Sequence, residues 1–187
     1  MQSAATGAAR LASPTATVAL PAATLPAMTL PAARPLTVST PVAAVASTWP
    51  LWALVEANKA GEALNDELSC VATAVYFESR GEPLEGQLAV AEVVMNRAQS
   101  GRYPASLCAV VKQPAQFSFV RRGQFPSIDP NCPHWAKAKA ITRIAAHKLV
   151  DELPDDVLWY HADYVAPSWG RRLNRVEKIG AHIFYRG

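Results

Sequence analysis

The stretch "DELSCVATAVYFESRGEPLEGQLAVAEVVMNRAQ", residues 66–99, contains two apolar helical patterns separated by a short break. Asn65 or Asp66 can cap the first helix, and Gly81 suits the position just after its end. Pro83 suits the first turn of the second helix, which we expect to run to about Gln99. Apolar residues recur at spacings of three and four in both patterns: Leu68, Val71, Ala72 and Val75, then Leu84, Leu88, Ala91, Val94 and Met95. The stretch therefore predicts two packed helices joined by a tight corner.

The surrounding sequence predicts a mainly helical domain that ends in a small sheet. Helical patterns also occur in three other segments: 49–60, around 107–111, and 133 to about 150. Residues 113–132 are rich in Pro, Gly, Ser and Asp and read as a long connection of the kind that is often functional. Residues 156–165 alternate well enough to form a strand, and residues 181–187 predict a second. Helices followed by strands are typical of an α+β domain.

The first 48 residues differ in composition from the rest. They contain no Asp or Glu, only Arg10 and Arg34 as charges, and six prolines. Repeated proline blocks long helices, and the abundant Ala and Thr bury little area. We interpret residues 1–48 as a disordered Ala/Pro/Thr-rich tail or tether, and residues 49–187 as one folded domain. No run of about 18 apolar residues occurs, so we expect no membrane-spanning helix. No clear export signal is evident either.

The net charge of +3 says little about partners. The folded part holds the remaining 16 of 18 basic residues and all 15 acidic ones, so it is nearly neutral. Basic residues cluster locally at two places: Arg121-Arg122, and Arg171, Arg172, Arg175 and Lys178. A solvated face is the default interpretation of such clusters, and contact with an anionic polymer is the functional alternative. Because no basic stripe with interleaved aromatics appears, we do not expect nucleic-acid binding.

Three cysteines permit one disulfide and one free thiol. Cys108 and Cys132 flank the loop-rich stretch, and we predict that they pair. Cys70 lies on the apolar side of the first helix, where a free thiol packs as a small hydrophobe. The spacing of Cys132 and His134 relative to His161 or His182 matches no established metal pattern, so we expect neither a metal nor a cofactor.

Three glutamates, Glu78, Glu82 and Glu85, surround the corner between the two helices. Glu78 falls in the last turn of the first helix, where the negative end of the helix dipole and burial both favour a neutral carboxyl. A general acid working near neutral pH needs that property. Glu82 reads as a cap or a neighbour of Arg80, and Glu85 as an exposed carboxylate in a first helical turn. These arguments leave Glu78 equally open to a structural and a catalytic role.

Other catalytic patterns are weaker. No Gly-x-Ser-x-Gly elbow, phosphate-binding loop or dinucleotide-binding glycine motif occurs. His161, on the first predicted strand, could act as a base, but we favour a hydrogen-bonded structural histidine.

The segment "CVATAVYFESRGEPLEGQLAVAEVVMNRAQSGRYPASLCAVV" closely resembles the SleB/CwlJ-type cell wall hydrolases. The resemblance continues at "QFSFV" and at "LWYHADYVAPSWGRRLNRVEKIGAHIFYR", and spans about residues 66–186. It implies a lysozyme-like, mainly helical domain with a small antiparallel sheet, acting on peptidoglycan outside the cytoplasm. The first glutamate of the family's Glu-(Ala/Ser)-Arg-Gly-Glu motif is Glu78 here. The resemblance thus implies that Glu78 is the catalytic acid and base.

The same resemblance implies cleavage between N-acetylmuramic acid and N-acetylglucosamine, with closure of a 1,6-anhydro ring by the muramyl 6-hydroxyl. A hydrolytic muramidase and a non-catalytic cell-wall-binding protein are the alternatives. Asp129 and Asp163 are the remote candidates for a second carboxylate. Asp129 reads better as a turn residue, and Asp163 as a residue that orients Tyr164 or a neighbouring loop. Sugar contacts are expected from these residues: Gln116, Ser118, Tyr160, His161, Tyr164, Ser168 and Trp169. We expect a monomer whose partner is the glycan strand.

Overall fold

The computed structural model describes residues 48–187, so the predicted tail lies outside the described residues, apart from Thr48. The described part contains five helices: α1 Leu51–Asn58, α2 Asp66–Ser79, α3 Leu84–Gln99, α4 Leu107–Val111 and α5 Pro133–Ala146. Three strands follow them: β1 Val157–Ala162, β2 Asn174–Ile179 and β3 His182–Arg186. The predicted mainly helical α+β fold is confirmed. Within residues 48–187 no helix is long and apolar enough to span a bilayer.

The corner between α2 and α3 forms close to where the sequence predicts it. The Asn65 side chain accepts a hydrogen bond from the Leu68 N–H at 2.9 Å and caps α2. α2 ends at Ser79, and the Glu82 N–H donates to the Ser79 carbonyl at 2.9 Å. Pro83 takes the N-cap position of α3, one residue before its predicted place. The corner turns the chain sharply just beyond Glu78.

Helix α3 is the centre of the domain. Its Leu88 and Val94 pack with Val71 and Val75 of α2 and with Ile141 of α5 in one continuous core. Another set of α3 residues packs against the sheet, in a cluster made of Ala89, Val93, Val157 and Phe184. α3 is therefore buried on two sides, and it fixes the sheet relative to the helices.

The sheet has the strand order β1-β3-β2, and both pairings are antiparallel. β1 and β3 match the two predicted strands, with narrower bounds. β2, which the sequence analysis missed, is an edge strand with four of its six residues exposed. Only Val176 and Ile179 of β2 pack on the core, so the strand lacks an apolar alternation by which it could be recognised.

The disulfide prediction was wrong. Cys70 pairs with Cys108, with their Cα atoms 5.1 Å apart, and Cys132 is a free thiol. The Glu67 carboxylate accepts hydrogen bonds from the Ser106 hydroxyl at 2.8 Å and from a backbone N–H in the first turn of α4 at 2.6 Å. These bonds hold the start of α4 against the first turn of α2, which brings Cys108 to Cys70. Cys132 instead takes the N-cap position of α5 without a capping bond from its side chain, and its sulfur lies 3.7 Å from the hydroxyl of Tyr76.

Candidate active site

Glu78 lies in the last turn of α2, and its side chain is half-buried. Its carboxyl makes no hydrogen bond or ion pair with any residue of 48–187. Burial raises the pKa of Glu78 above its ordinary value. The setting expected from the sequence, a partly desolvated carboxyl at a helix end, is therefore present, and the carboxyl is free to meet a ligand.

Tyr160 of β1 lies within electrostatic reach of Glu78. Its hydroxyl is buried and has no hydrogen-bond partner among the described residues. Burial raises the pKa of Tyr160 strongly, and the nearby charge of Glu78 raises it further. The phenol therefore stays protonated, as a hydrogen-bond donor whose acceptor is missing. Buried hydroxyls of this kind are uncommon and call for an explanation.

A buried cation, Arg97 of α3, also lies near Tyr160. Its Nε donates to the Leu158 carbonyl at 2.7 Å, while its Nη1 is buried without a partner in the described part of the chain. The guanidinium carbon lies 5.2 Å from the centroid of the Tyr103 ring. Burial lowers the pKa of Arg97, whereas the charge of Arg97 lowers the pKa of Tyr160. The charge of Glu78 thus raises the pKa of Tyr160, and the charge of Arg97 lowers it.

Aromatic side chains extend from Glu78 towards the long connection. Phe77 stacks on Phe119 with ring centroids 4.9 Å apart, and Phe119 also meets Phe117 at 5.5 Å and Phe125 at 6.1 Å. Phe117 is a core residue, whereas Phe119 and Phe125 are half-buried. An open groove of about 500 Å³ begins at Phe119. Its lining residues are Phe119, Arg121, Gln124, Phe125 and Pro126.

The residues that we expected to contact sugar fall into separate groups. Gln116 is half-buried and Ser118 exposed, both next to Phe117 in the long connection. Tyr160 is on the face of β1 that packs against Phe184, and this is the face nearer to Glu78. The structure therefore places Tyr160 near Glu78, whereas Gln116 and Ser118 lie beside the phenylalanine cluster of the long connection.

His161 is on the opposite face of β1, in contact with Tyr185 and Trp169. Its Nδ1 donates to the Ala162 carbonyl at 2.8 Å, which leaves Nε2 to accept from the Tyr185 hydroxyl at 2.8 Å. Trp169 meets the His161 ring edge-on at 5.5 Å. Both ring nitrogens of His161 are thus hydrogen-bonded, as a structural histidine requires, and a sugar contact through this ring stays a prediction. A second groove of about 400 Å³ opens here.

Tyr164 and Ser168 are exposed in the loop after β1, and Tyr164 is 85% accessible. Neither makes a hydrogen bond through its side chain to the described residues. Both lie in the loop beside His161, on the other side of the sheet from Tyr160, so they do not form one site with Glu78 and Tyr160.

The other candidate carboxylates near these elements have structural partners. Glu82 accepts a hydrogen bond from the Ala181 N–H at 2.8 Å, and so ties the helical corner to the β2–β3 turn. Gly180 has a φ of +57°, and a Cβ there would collide with the Glu82 carboxylate, so a larger residue would be strained and would displace this carboxylate from the turn. Asp129 accepts from the Asn131 N–H at 2.9 Å, and Asp163 pairs with Lys178 at 2.6 Å.

Glu85 is exposed in the first turn of α3, as expected. Within residues 48–187, no three His, Cys, Asp or Glu side chains are placed to share a metal ion.

Several residues of the site were missed from the sequence. Arg97 follows Val94 by three positions, so it continues the buried stripe of α3, and that spacing could have marked it. Gln124 and Phe125 belong to the long connection, where no periodicity indicates which side chains converge.

Comparisons with known proteins agree with this architecture. The family model described as Cell Wall Hydrolase matches residues 81–185, a span that contains Tyr160 and begins just after Glu78. The spore cortex-lytic enzyme of Bacillus subtilis (strain 168) is 36% identical over 133 residues, covering 70% of this chain and 41% of that enzyme. The spore cortex-lytic enzyme of Bacillus cereus is 35% identical over 119 residues, covering 64% and 44% respectively. The chain therefore spans less than half the length of these curated relatives.

Two solved structures share the fold. The catalytic domain of the germination-specific lytic transglycosylase SleB from Bacillus anthracis superimposes with a TM-score of 0.57 at 31% identity, covering 67% of this chain and 98% of that one. The catalytic domain of the Bacillus cereus SleB protein gives a TM-score of 0.56 at 31% identity, covering 67% and 94%. A family match over more than half of the sequence, together with this structural likeness, shows that the chain belongs to the cell wall hydrolase family.

Proposed function

We propose that this protein cleaves the glycan strands of peptidoglycan at the bond between N-acetylmuramic acid and N-acetylglucosamine, as a lytic transglycosylase. The observation that carries the proposal is Glu78, a half-buried carboxyl with a raised pKa and no partner among the described residues. Family membership supports this reaction class, and so does the likeness to SleB from Bacillus anthracis, a germination-specific lytic transglycosylase. Because the substrate lies in the cell wall, the protein would act outside the cytoplasm.

Glu78 performs both proton transfers in this reaction. The protonated carboxyl donates its proton to the glycosidic oxygen while the bond from that oxygen to muramyl C1 breaks. The carboxylate that remains accepts the proton of the muramyl 6-hydroxyl as this oxygen attacks C1. A 1,6-anhydro ring closes, N-acetylglucosamine leaves with a free hydroxyl, and Glu78 ends protonated. The raised pKa suits the first step, because it maintains the acid form closer to neutral pH.

The surroundings of Glu78 favour transglycosylation over hydrolysis. A hydrolase with two carboxylates needs the second one roughly 5 to 9.5 Å from the first, as a nucleophile or as a base for water. Asp129 and Asp163, the candidates named from the sequence, are engaged in a turn and an ion pair. Glu82 is engaged by the Ala181 N–H. Attack by the hydroxyl of the substrate itself needs no second carboxylate.

Tyr160 supports the reaction as a hydrogen-bond donor. Its phenol stays protonated, and the described residues offer it no acceptor. The ionised Glu78 can accept this bond, which stabilises the negative charge as the proton leaves Glu78. Arg97 adds a buried positive charge near the phenol. Because both groups are fixed by packing before the substrate arrives, the electrostatic stabilisation is preorganised.

Digestion of purified sacculi, followed by mass analysis of the released muropeptides, tests the proposal. Anhydro-ended products that disappear in Glu78→Gln are expected. Glu85→Gln, an exposed glutamate on the same corner, is the matched control and retains activity. Reducing ends in place of anhydro ends would favour a muramidase. Sacculus binding without any cleavage by the wild type would favour a non-catalytic binder.

A further inference from the structure

The groove beside Phe119 is built on a short hairpin. The Arg121 N–H donates to the Gln124 carbonyl at 3.1 Å, and the Gln124 N–H donates to the Arg121 carbonyl at 3.0 Å. Arg122 and Gly123 between them have φ values of +53° and +73°, the combination that a two-residue hairpin turn requires. Arg121 and Gln124 are consequently opposite each other, with their side chains on one face of the hairpin.

Phe119, in the turn just before this hairpin, lines the same groove as Arg121 and Gln124. The resulting groove of about 500 Å³ combines two aromatic rings with one guanidinium and one amide. Phe119 and Phe125 provide apolar surface, while Arg121 and Gln124 provide hydrogen-bond donors at the rim. This combination suits a ligand that has both a sugar or peptide face and a carboxylate.

The charge at the groove is positive and unneutralised. Arg121 is exposed, and its guanidinium has no ion pair or hydrogen bond with any residue of 48–187. None of the five lining residues is acidic. Lys112 adds a second cation, with its ammonium 4.9 Å from the centre of the Phe125 ring. A carboxylate in the groove would therefore meet the Arg121 guanidinium, with a second cation nearby at Lys112, and no protein anion that lines the groove.

The groove is joined to the candidate active site through aromatic packing. Phe119 lines the groove and stacks on Phe77, which immediately precedes Glu78 in the chain. Because Phe77 and Glu78 share the last turn of α2, the groove lies close enough to Glu78 for neighbouring units of a polymer bound there to reach it.

We propose that this groove binds a free carboxylate of a peptide substituent on a muramyl residue of the same glycan strand. The inference rests on the proposed function, which places the glycan at Glu78. Arg121 forms the ion pair, Gln124 bonds to a peptide amide or carbonyl, and the two phenylalanines cover the apolar side. The groove thus selects strands that carry their peptides over bare glycan.

Binding in a Glu78→Gln background, in which the strand remains uncut, tests the proposal directly. The association constants are measured for glycan strands with their peptides and for strands from which an amidase has removed them. Adding Arg121→Gln should weaken binding of the peptide-bearing strands about fivefold, a typical effect for an exposed ion pair with charged hydrogen bonds, and leave bare strands unaffected. Added salt should weaken the binding of peptide-bearing strands by Glu78→Gln, here the parent, towards that of the protein with both substitutions.

Arg175→Gln is the matched control, since Arg175 is exposed on β2 and is not among the lining residues of the groove. It should bind both substrates as the parent does, and equal thermal unfolding midpoints would exclude a folding defect. Equal losses on both kinds of strand, no loss, or no preference of the parent for peptide-bearing strands would overturn the proposal. Persistent cleavage by Glu78→Gln would instead overturn the catalytic role proposed for Glu78, a result distinct from each of these binding outcomes.

Discussion

Two desolvated carboxyls, Glu78 at the end of α2 and Glu92 in the middle of α3, have similar electrostatics and different surroundings. Burial raises the pKa of both, to about 7 for Glu92. Glu92 accepts hydrogen bonds from the N–H groups of Glu152 at 3.0 Å and Leu153 at 2.9 Å, and so holds the loop before β1. Glu78 has no such bond to the described residues. A raised pKa therefore does not by itself distinguish the candidate catalytic carboxyl from a structural one. The feature that distinguishes Glu78 from Glu92 is a carboxyl without a hydrogen-bond partner near a phenol that also lacks one among the described residues.

The sharpest test of this contrast compares Glu78→Gln with Glu92→Gln. Removing the acid and base should slow cleavage of sacculi about 10²–10⁴-fold, the usual contribution of general acid–base catalysis. Glu92→Gln should leave the rate nearly unchanged, because Glu92 binds the loop rather than the substrate. The measurement is the initial rate of muropeptide release at equal protein concentration. Similar losses in both variants would remove the distinction between the two carboxyls.

The reverse pattern is expected for stability. Glu92→Ala leaves two backbone donors without an acceptor, one of them on the buried Leu153, and should lower the free energy of unfolding by about 2–4 kcal/mol. Glu78→Ala removes a desolvated group without bonds and should leave stability unchanged or slightly higher. Denaturant unfolding of both variants measures this. A larger loss for Glu78→Ala than for Glu92→Ala would show that the roles are reversed.

Glu92 should also make stability depend on pH. Its pKa is about 7 in the folded protein against an ordinary 4.5, so the folded state binds this proton more tightly than the unfolded chain. Its contribution is fully present below about pH 4.5 and is lost as the pH rises through about 7, on the order of 3 kcal/mol in total. The difference in unfolding free energy between wild type and Glu92→Gln, followed from about pH 4 to about pH 8, isolates this contribution. A flat difference would contradict it.

The smallest effect concerns the phenol beside Glu78. Tyr160→Phe deletes one hydroxyl without an internal partner, so folding should be unaffected while kcat falls about tenfold through the lost hydrogen bond. Tyr185→Phe is the matched control on the other face of the sheet. It loses the bond to His161 and should lower stability by about 1 kcal/mol with little change in kcat. Equal kcat values for wild type and Tyr160→Phe would remove Tyr160 from the mechanism.

The contrast also shows what the sequence could reveal. The helix pair around Glu78 and its desolvated setting follow from apolar periodicity and from the Gly81–Pro83 break, both of which are local. Glu92 was missed, although it follows Leu88 by four positions and so falls on the buried stripe. Its loop partners are about sixty residues away and leave no local signal.

Non-local packing explains the remaining differences. The Cys70–Cys108 pairing depends on how Glu67 docks α4, which spacing alone does not reveal. The division of the expected sugar-binding residues follows from strand alternation: Tyr160 and His161 are adjacent in sequence and face opposite sides of the sheet. That alternation was predictable, but which face meets Glu78 depends on how α3 holds the sheet.

The central claim is that one carboxyl, that of Glu78, performs both proton transfers and that the substrate supplies the nucleophile. Digesting sacculi in water enriched in a heavy oxygen isotope tests it most directly, because only hydrolysis adds an oxygen atom from the solvent to muramyl C1. Anhydro-ended products without the heavy isotope, absent when Glu78→Gln replaces the wild type, are the predicted result. Heavy oxygen at the muramyl ends, or unlabelled anhydro products still formed by Glu78→Gln, would contradict the claim.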